Sequence, residues 1–296
     1  MRIEYPTLFL AILCYSLFIG AAILLWPVAP AAAILVMAVM GALQSSLAHE
    51  CLHGHPFRNP HLNEALAYLP LTLAYPYRRY RSLHLKHHEN ASLTDPFEDP
   101  ESYYRASWQF DRLPRPLRWL LRINNALLGR LICGPWLSVA GFFAREGGAI
   151  LKGESDVRRA WVHHVAGCVP IFLLLWAMGI PVWVYIIGVC WPALSLIALR
   201  SFAEHRWHET EDGRCIIVEK SPLSWLFLNN NLHLVHHAHP QVPWYDLPRL
   251  YARQKAAWRK RSAGYVFSGY RALWRTWAIR PKEPVVHPVW HHPPSE

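Results

Sequence analysis

The chain has 296 residues, 53% hydrophobic and 17% charged, which is too apolar and charge-poor for an ordinary soluble protein. Its formal net charge of +10 suits nucleic acid or an anionic membrane surface. The basic residues are scattered among Trp and Pro with no nucleic-acid motif, so the membrane is the expected partner and nucleic acid is not.

Residues 7–26 are almost purely apolar and long enough to span, since about 20 residues cross the hydrocarbon core. A secretory signal competes, because Ala31-Ala32-Ala33 follows. The run is too long for a signal core, however, and a second apolar run starts at once. Pro27 to Pro30 is a charge-free turn. Residues 31–48 form a second span, which turns polar at Gln44, Ser45 and Ser46 and delivers His49 and His53. The apolar run 65–75 is too short to span and contains Pro70, so a half-buried or interfacial segment is expected. It leads through Arg78-Arg79-Tyr80-Arg81 into His84-Leu85-Lys86-His87-His88, and an acidic loop from Thr94 to Glu101 follows.

Leu117 to Gly148 mixes Arg, Trp and Leu. It reads as one or two amphipathic helices on the membrane surface, broken at Gly134-Pro135, or as a cytosolic helical connector. Residues 161–180 and 182–200 are the third and fourth spans, separated at Pro181, and the fourth leads into Glu204-His205-Arg206. Asn229-Asn230-Asn231 precedes the stretch His233-Leu234-Val235-His236-His237. From Pro281 the chain is Pro-rich. Residues 281–296 are expected to be a disordered tail behind a single domain of residues 1–280. Its prolines argue against helical geometry for His287, His291 and His292, which are set aside as ligands.

Two triplets, His84/His87/His88 and His233/His236/His237, are spaced i, i+3, i+4, and His49/His53 i, i+4. On a helix such residues share one face, about 5–6 Å apart at Cβ. Each pair of spans returns the chain to its starting side, so all three boxes and His205 belong on one side. Nearly all Lys and Arg lie there too, which makes that side cytoplasmic. The expected fold is an all-α integral membrane protein of four transmembrane helices with a cytosolic helical cap holding the histidines.

Neutral imidazole suits zinc, copper, iron and nickel. The candidate ligands are His49, His53, His84, His87, His88, His205, His233, His236 and His237. One tetrahedral zinc takes at most four ligands, so the set suggests two metals. The six cysteines (Cys14, Cys51, Cys133, Cys168, Cys190 and Cys215) form no close pairs and supply no thiolate cluster or disulfide framework. His49-Glu50-x-x-His53 also matches the zinc-protease motif with Glu as general base, but that reading leaves both triplets unexplained. A metal transporter would want its ligands inside the spans. Ligating imidazoles usually donate their second ring N–H to an acceptor, and Glu50, Asp95, Asp99, Glu204 and the run Asn229, Asn230 and Asn231 are the expected partners. His55, His61 and His239 read as loop residues or outer partners, and His163-His164 as an interfacial pair.

The boxes His-x-x-x-His, His-x-x-His-His and His-x-x-His-His resemble those of the membrane fatty acid desaturase superfamily, which also holds acyl hydroxylases and carotenoid ketolases. The resemblance covers roughly residues 35 to 250 and includes His239-Pro-Gln-Val-Pro-Trp244-Tyr-Asp-Leu-Pro248. It implies a di-iron centre held by the boxes, with His205 as the extra histidine between the second and third and His208 as its weaker competitor. It implies O2 as co-substrate and a lipid or acyl substrate that loses two hydrogens to give a double bond. Hydroxylation or ketolation of an acyl chain or carotenoid is the alternative on the same scaffold, and desaturation of a small amino-acid-derived metabolite a further one. No haem-binding His-Pro-Gly-Gly or cysteine cluster is fused, so a separate ferredoxin- or cytochrome b5-like protein is expected to supply electrons.

Overall fold

The computed structural model describes residues 3–89 and 92–292. It is 64% helix and 3% strand. In chain order the elements are α1 Tyr5–Leu25, α2 Pro30–Leu52, α3 Pro60–Leu66, α4 Tyr77–Glu89, α5 Ser107–Asp111, α6 Arg115–Asn124, α7 Leu127–Leu151, α8 Ser155–Ala177 and α9 Val182–Glu204. They continue with β1 Ile217–Val218, α10 His233–Ala238, α11 Leu247–Arg253, α12 Lys255–Arg261, β2 Val266–Phe267 and α13 Tyr270–Trp277. The last turns of α1 (Ala21–Leu25) and the turns Tyr185–Cys190 of α9 are π-helical.

Among the described residues, five helices are long and apolar enough to cross a membrane: α1, α2, α7, α8 and α9. Four of them coincide with the expected spans. The fifth, α7, covers the stretch expected to be broken at Gly134-Pro135, and it continues through Pro135 as one helix. Interior prolines are tolerated in membrane helices, where neighbouring groups re-satisfy the freed carbonyl, and α8 likewise carries Pro170.

The chain divides into two compact units, Met1–Ser82 with Pro135–Ile197, and Leu83–Gly134 with Ala198–Glu296. In the first, small residues let helices approach closely: a Cβ built on Gly41 of α2 would lie 3.1 Å from the Cβ of Ala193 in α9. The run 65–75 is half-buried. Leu71, Thr72 and Ala74 are buried in an irregular segment, and its carbonyls need partners, because an unsatisfied one in an apolar interior costs several kcal/mol. Side chains from other helices supply them. The Tyr185 hydroxyl donates to Leu71 O at 2.6 Å, the Tyr15 hydroxyl to Leu66 O at 2.8 Å, and His164 Nε2 to Leu73 O at 3.2 Å. His164 therefore has a structural task. In the same unit Arg79 grips the buried carboxylate of Glu146 with two bonds of 2.7 and 2.9 Å.

The second unit has two apolar centres. One joins Leu93, Ile217, Leu234, Val235, Leu247 and Trp258, and the other joins Ala203, Ile216, Phe227, Tyr265 and Leu273. The strands β1 and β2 pair in parallel, Ile217 with Val266 and Val218 with Phe267. A left-handed turn at Leu228 and Asn229 (φ 49° and 55°) brings the chain into α10. Asn tolerates that conformation and Leu does so only at some cost.

Residues 281–292 of the expected disordered tail are held in place. Lys282 N donates to Asn125 O (2.8 Å), Arg105 N to Val285 O (2.9 Å), His287 N to Arg105 O (2.9 Å) and Ser107 N to Trp290 O (2.9 Å). Proline forbids helix there, but an extended strap can pair its backbone with loops, and this one does. Residues 293–296, with Pro293-Pro294, lie outside the described residues.

Candidate metal centre

Seven of the nine expected ligands belong to the second unit. His84, His87 and His88 come from α4, His205 follows α9, and His233, His236 and His237 come from α10. The i, i+3, i+4 spacing on two short helices turns six rings toward one region. His88 and His237 stack at 4.1 Å between centroids, and His88 meets His236 at 4.8 Å. His87, His205, His233 and His237 each offer a ring nitrogen within 4.8 Å of the others. His84, His88 and His236 form a second such set. In the first unit, His49 and His53 are buried at the end of α2, with centroids 4.8 Å apart.

Acceptors fix the outer ring nitrogens. His87 Nδ1 faces Asp99 Oδ1 at 2.7 Å, His84 Nδ1 faces Glu101 Oε1 at 2.8 Å, and His233 Nδ1 faces Asn230 Oδ1 at 3.0 Å. A carboxylate or amide oxygen only accepts, so each Nδ1 carries the proton and a neutral ring keeps its lone pair on Nε2. The Nε2 atoms of His87 and His233 lie 3.0 and 2.9 Å from His205 Nε2, which can satisfy at most one of them by donating a proton. His237 Nε2 is buried with no hydrogen-bond partner among the described residues. Converging lone pairs of this kind fit a cation.

Electrostatics agree. Burial, then the neighbouring imidazoles, hold His205, His233 and His237 well below the usual imidazole range, and push His88 down to about 2. These rings stay neutral, the form that binds metal. His87 is the exception. Burial would lower it, but Glu101 and Asp99 outweigh burial and hold it at about 9. The same imidazoles, His84 first, hold the Glu101 carboxyl below the ordinary carboxylate range against its own burial. Cys215 Sγ lies 3.6 Å from His205 Nδ1. Burial raises its thiol far above the ordinary range, so it stays protonated and is no thiolate ligand.

The expected outer partners divide. Asp99 meets His87, and Glu204 lies 3.7 Å from His233 Nδ1 and accepts from Asn230 at 3.0 Å. Glu50 Oε1 is 3.9 Å from His49 Nδ1, beyond hydrogen-bond reach. Asp95 accepts from Trp290 Nε1 at 2.6 Å instead of from a histidine. Asn229 and Asn231 donate to the carbonyls of Trp244 (2.9 Å) and Val218 (2.6 Å) and hold the approach to α10. Glu101 was missed as an outer partner, although it stands in the acidic loop already singled out, and of the Asn run it is Asn230 that meets a histidine. His208 bonds Thr210 at 2.9 Å, His55 bonds Glu4 at 2.8 Å and His239 packs on Trp258.

A family model described as fatty acid desaturase matches residues 24–269. The chain belongs to the fatty acid desaturase family. A comparison with curated proteins finds no match. Members of this family are oxidoreductases of membranes, and the apolar helices and buried histidines of this desaturase-family chain are in keeping with both properties.

Proposed function

We propose that this desaturase-family protein is an O2-dependent di-iron enzyme that introduces a double bond into a fatty acyl chain. The carrying observation is the pair of imidazole sets in the second unit, too many nitrogens for one tetrahedral ion. His87, His205, His233 and His237 would hold one iron. His84, His88 and His236 would hold the other, and His49 and His53 are carried as its ligands on the box pattern. Two irons supply the oxidising power that O2 and two electrons generate against an unactivated C–H bond. The chain's own part is to orient the rings through Asp99, Glu101, Asn230 and Cys215 and to keep His88, His205, His233 and His237 neutral. Hydroxylation or ketolation is the second reading, because the same centre serves whichever atom leaves or enters.

Four crossings, α1, α2, α8 and α9, are proposed. Three candidate spans separate His87 from His205, yet their Nε2 atoms are 3.0 Å apart. Residues in contact share a membrane side, so an even number of crossings separates them. Helix α7 is the least apolar of the five and carries Arg130, Arg145 and Glu146, which supports α7 as the one that does not cross. With the basic residues on the histidine side, that side is cytoplasmic, where a ferredoxin- or b5-like protein would deliver electrons.

The test is metal content of anaerobically purified protein together with the acyl profile of expressing cells. About two irons per chain with nitrogen-rich Mössbauer parameters and new unsaturated acyl chains are expected. Hydroxylated or keto products would move the reading to the second one. One zinc and no iron, in protein that has not lost metal, would overturn both and revive the protease motif at His49-Glu50-His53.

A further inference from the structure

Among the proposed ligands of the second unit, His205 alone does not sit on a histidine-box helix. It lies just past the end of α9, where the helix no longer dictates backbone direction. Its ring nevertheless stands between His87 and His233 at 3.0 and 2.9 Å. Something must hold residues 202–207 in place.

The C-terminal strap does so with side chains. Lys282 Nζ donates to Phe202 O at 2.5 Å and also to His205 O. These are carbonyls at the C-terminal end of α9, where a cation is favoured by the helix dipole and the unsatisfied acceptors. The ammonium also lies 5.2 Å from the Phe202 ring and 5.0 Å from the Tyr103 ring. Glu283 takes the next residues: Oε1 accepts from Trp207 N at 2.9 Å and Oε2 from the Tyr103 hydroxyl at 2.9 Å. That hydroxyl also lies 3.1 Å from His205 O. Two adjacent strap residues of opposite charge thus clamp the backbone on both sides of His205.

Farther along, the strap reaches the support of the second box. Trp290 Nε1 donates to Asp95 Oδ2, while Asp95 Oδ1 accepts from Phe97 N and Glu98 N at 2.8 and 3.1 Å. This orders the loop that carries Asp99 and Glu101, the acceptors for His87 and His84.

We propose that residues 282–290 are a positioning strap for the metal centre, in which Lys282 and Glu283 set the place of His205 and Trp290 steadies the loop that orients His87 and His84. The proposal rests on His205 being a ligand, and it makes the C-terminal segment part of the centre's outer support. The strap touches no reacting atom. Loss of an outer support of this kind costs about 10- to 100-fold in metal affinity.

The test uses the metal-depleted full chain in detergent, titrated with Co2+ and followed by its visible d–d absorption. The proteins are the wild type, His205→Ala, Lys282→Met, Glu283→Gln, Trp290→Phe and the exposed strap control His291→Ala. The expected result is weakening of one Co2+ site by about tenfold or more, with an altered band shape, in Lys282→Met and a smaller shift in Glu283→Gln and Trp290→Phe. His291→Ala should match the wild type. Thermal melts and gel filtration confirm that each variant is folded; a variant that does not fold is replaced by Lys282→Arg, which keeps the charge and should restore the spectrum in part. If His205→Ala binds Co2+ as the wild type does, the ligand reading fails and the strap proposal with it. If His205→Ala loses a site while folded Lys282→Met and Glu283→Gln keep wild-type affinity and spectrum, the positioning role alone is overturned.

Discussion

Two regions of the molecule bury polar atoms, and they resolve the cost in opposite ways. Around residues 66–73 of the first unit, backbone carbonyls find donors in Tyr15, His164 and Tyr185. Donors and acceptors match, and the region is closed. In the second unit, Asp99, Glu101 and Asn230 match only the outer side of three imidazoles. On the inner side, Nε2 atoms face Nε2 atoms. A closed network stabilises the fold and needs nothing more. A network satisfied on one side only is poised for a ligand, and converging acceptors suit a cation. Burial thus has a different meaning in the two regions, and substitutions should separate them.

The largest effect is expected inside the open network. His233→Ala removes one of the converging nitrogens and leaves His205 facing one partner. Metal affinity of that set should fall by more than about 100-fold, beyond the range for outer partners, with product formation abolished. Iron per chain after dialysis against a chelator checks it. Retention of two irons would remove His233 from the centre. Next in size is Asp99→Asn. It keeps an oxygen near His87 Nδ1 but removes the charge, and Asp99 also accepts from Thr94 N at 2.8 Å and Glu101 N at 2.9 Å. A 10- to 100-fold loss of affinity is expected, measured by the same titration. A loss as great as that of His233→Ala would mean that the loop had collapsed and not merely lost its charge.

These two residues also show what could be read from sequence. The boxes were legible because i, i+3, i+4 spacing is a geometric statement about helices, and the described histidines obey it. His205 was legible as the histidine at the end of the fourth apolar run. Asp99 was named beforehand, but Glu101, in the same loop, was not, because which carboxylate faces which ring depends on a turn that Asp95 and Asp99 build with their own side chains. Asp95 was assigned to a histidine and instead serves Trp290. The strap was illegible for a plainer reason. Extended backbone pairing between Arg105 and residues 285–287 leaves no periodic pattern, and proline-rich composition reads as disorder. Helix α7 differs from the expectation at Gly134-Pro135, where one continuous helix runs through the expected break.

A smaller effect, on pH, sharpens the contrast. In metal-free protein His87 titrates near 9, above its ordinary value of 6.5, because Glu101 and Asp99 outweigh burial. Its charged form therefore stabilises the fold fully below about 6.5, and that contribution is lost as pH rises through about 9. A metal must displace this proton. Affinity of the metal-free protein for Co2+ should accordingly rise by about tenfold per pH unit between 6.5 and 9 and then level off. His205, His233 and His237, held neutral by burial, work in the other direction. The folded state resists their protonation, so stability falls as pH drops below about 6.5. A flat affinity profile from 6.5 to 9 would show that His87 is already neutral before metal arrives. Asp99→Asn should move the plateau to lower pH.

The smallest effect on the centre, and the one that tests the closed region, is Tyr185→Phe. The ring is fully buried and stays in place against Phe18 at 6.2 Å. Only the hydroxyl that donates to Leu71 O is lost. A buried acceptor left without its donor costs about 1–3 kcal/mol, and both Tyr185 and Leu71 are buried away from solvent. The midpoint of thermal unfolding in detergent should drop while iron content and Co2+ spectrum stay at wild-type values. The opposite pattern, unchanged melting with altered metal binding, would mean that the 66–73 segment supports the centre and is not a self-contained piece of the fold. A drop in both would make the two regions one cooperative network. Restoration of melting but not of metal binding by a second-site donor would then separate the two roles again.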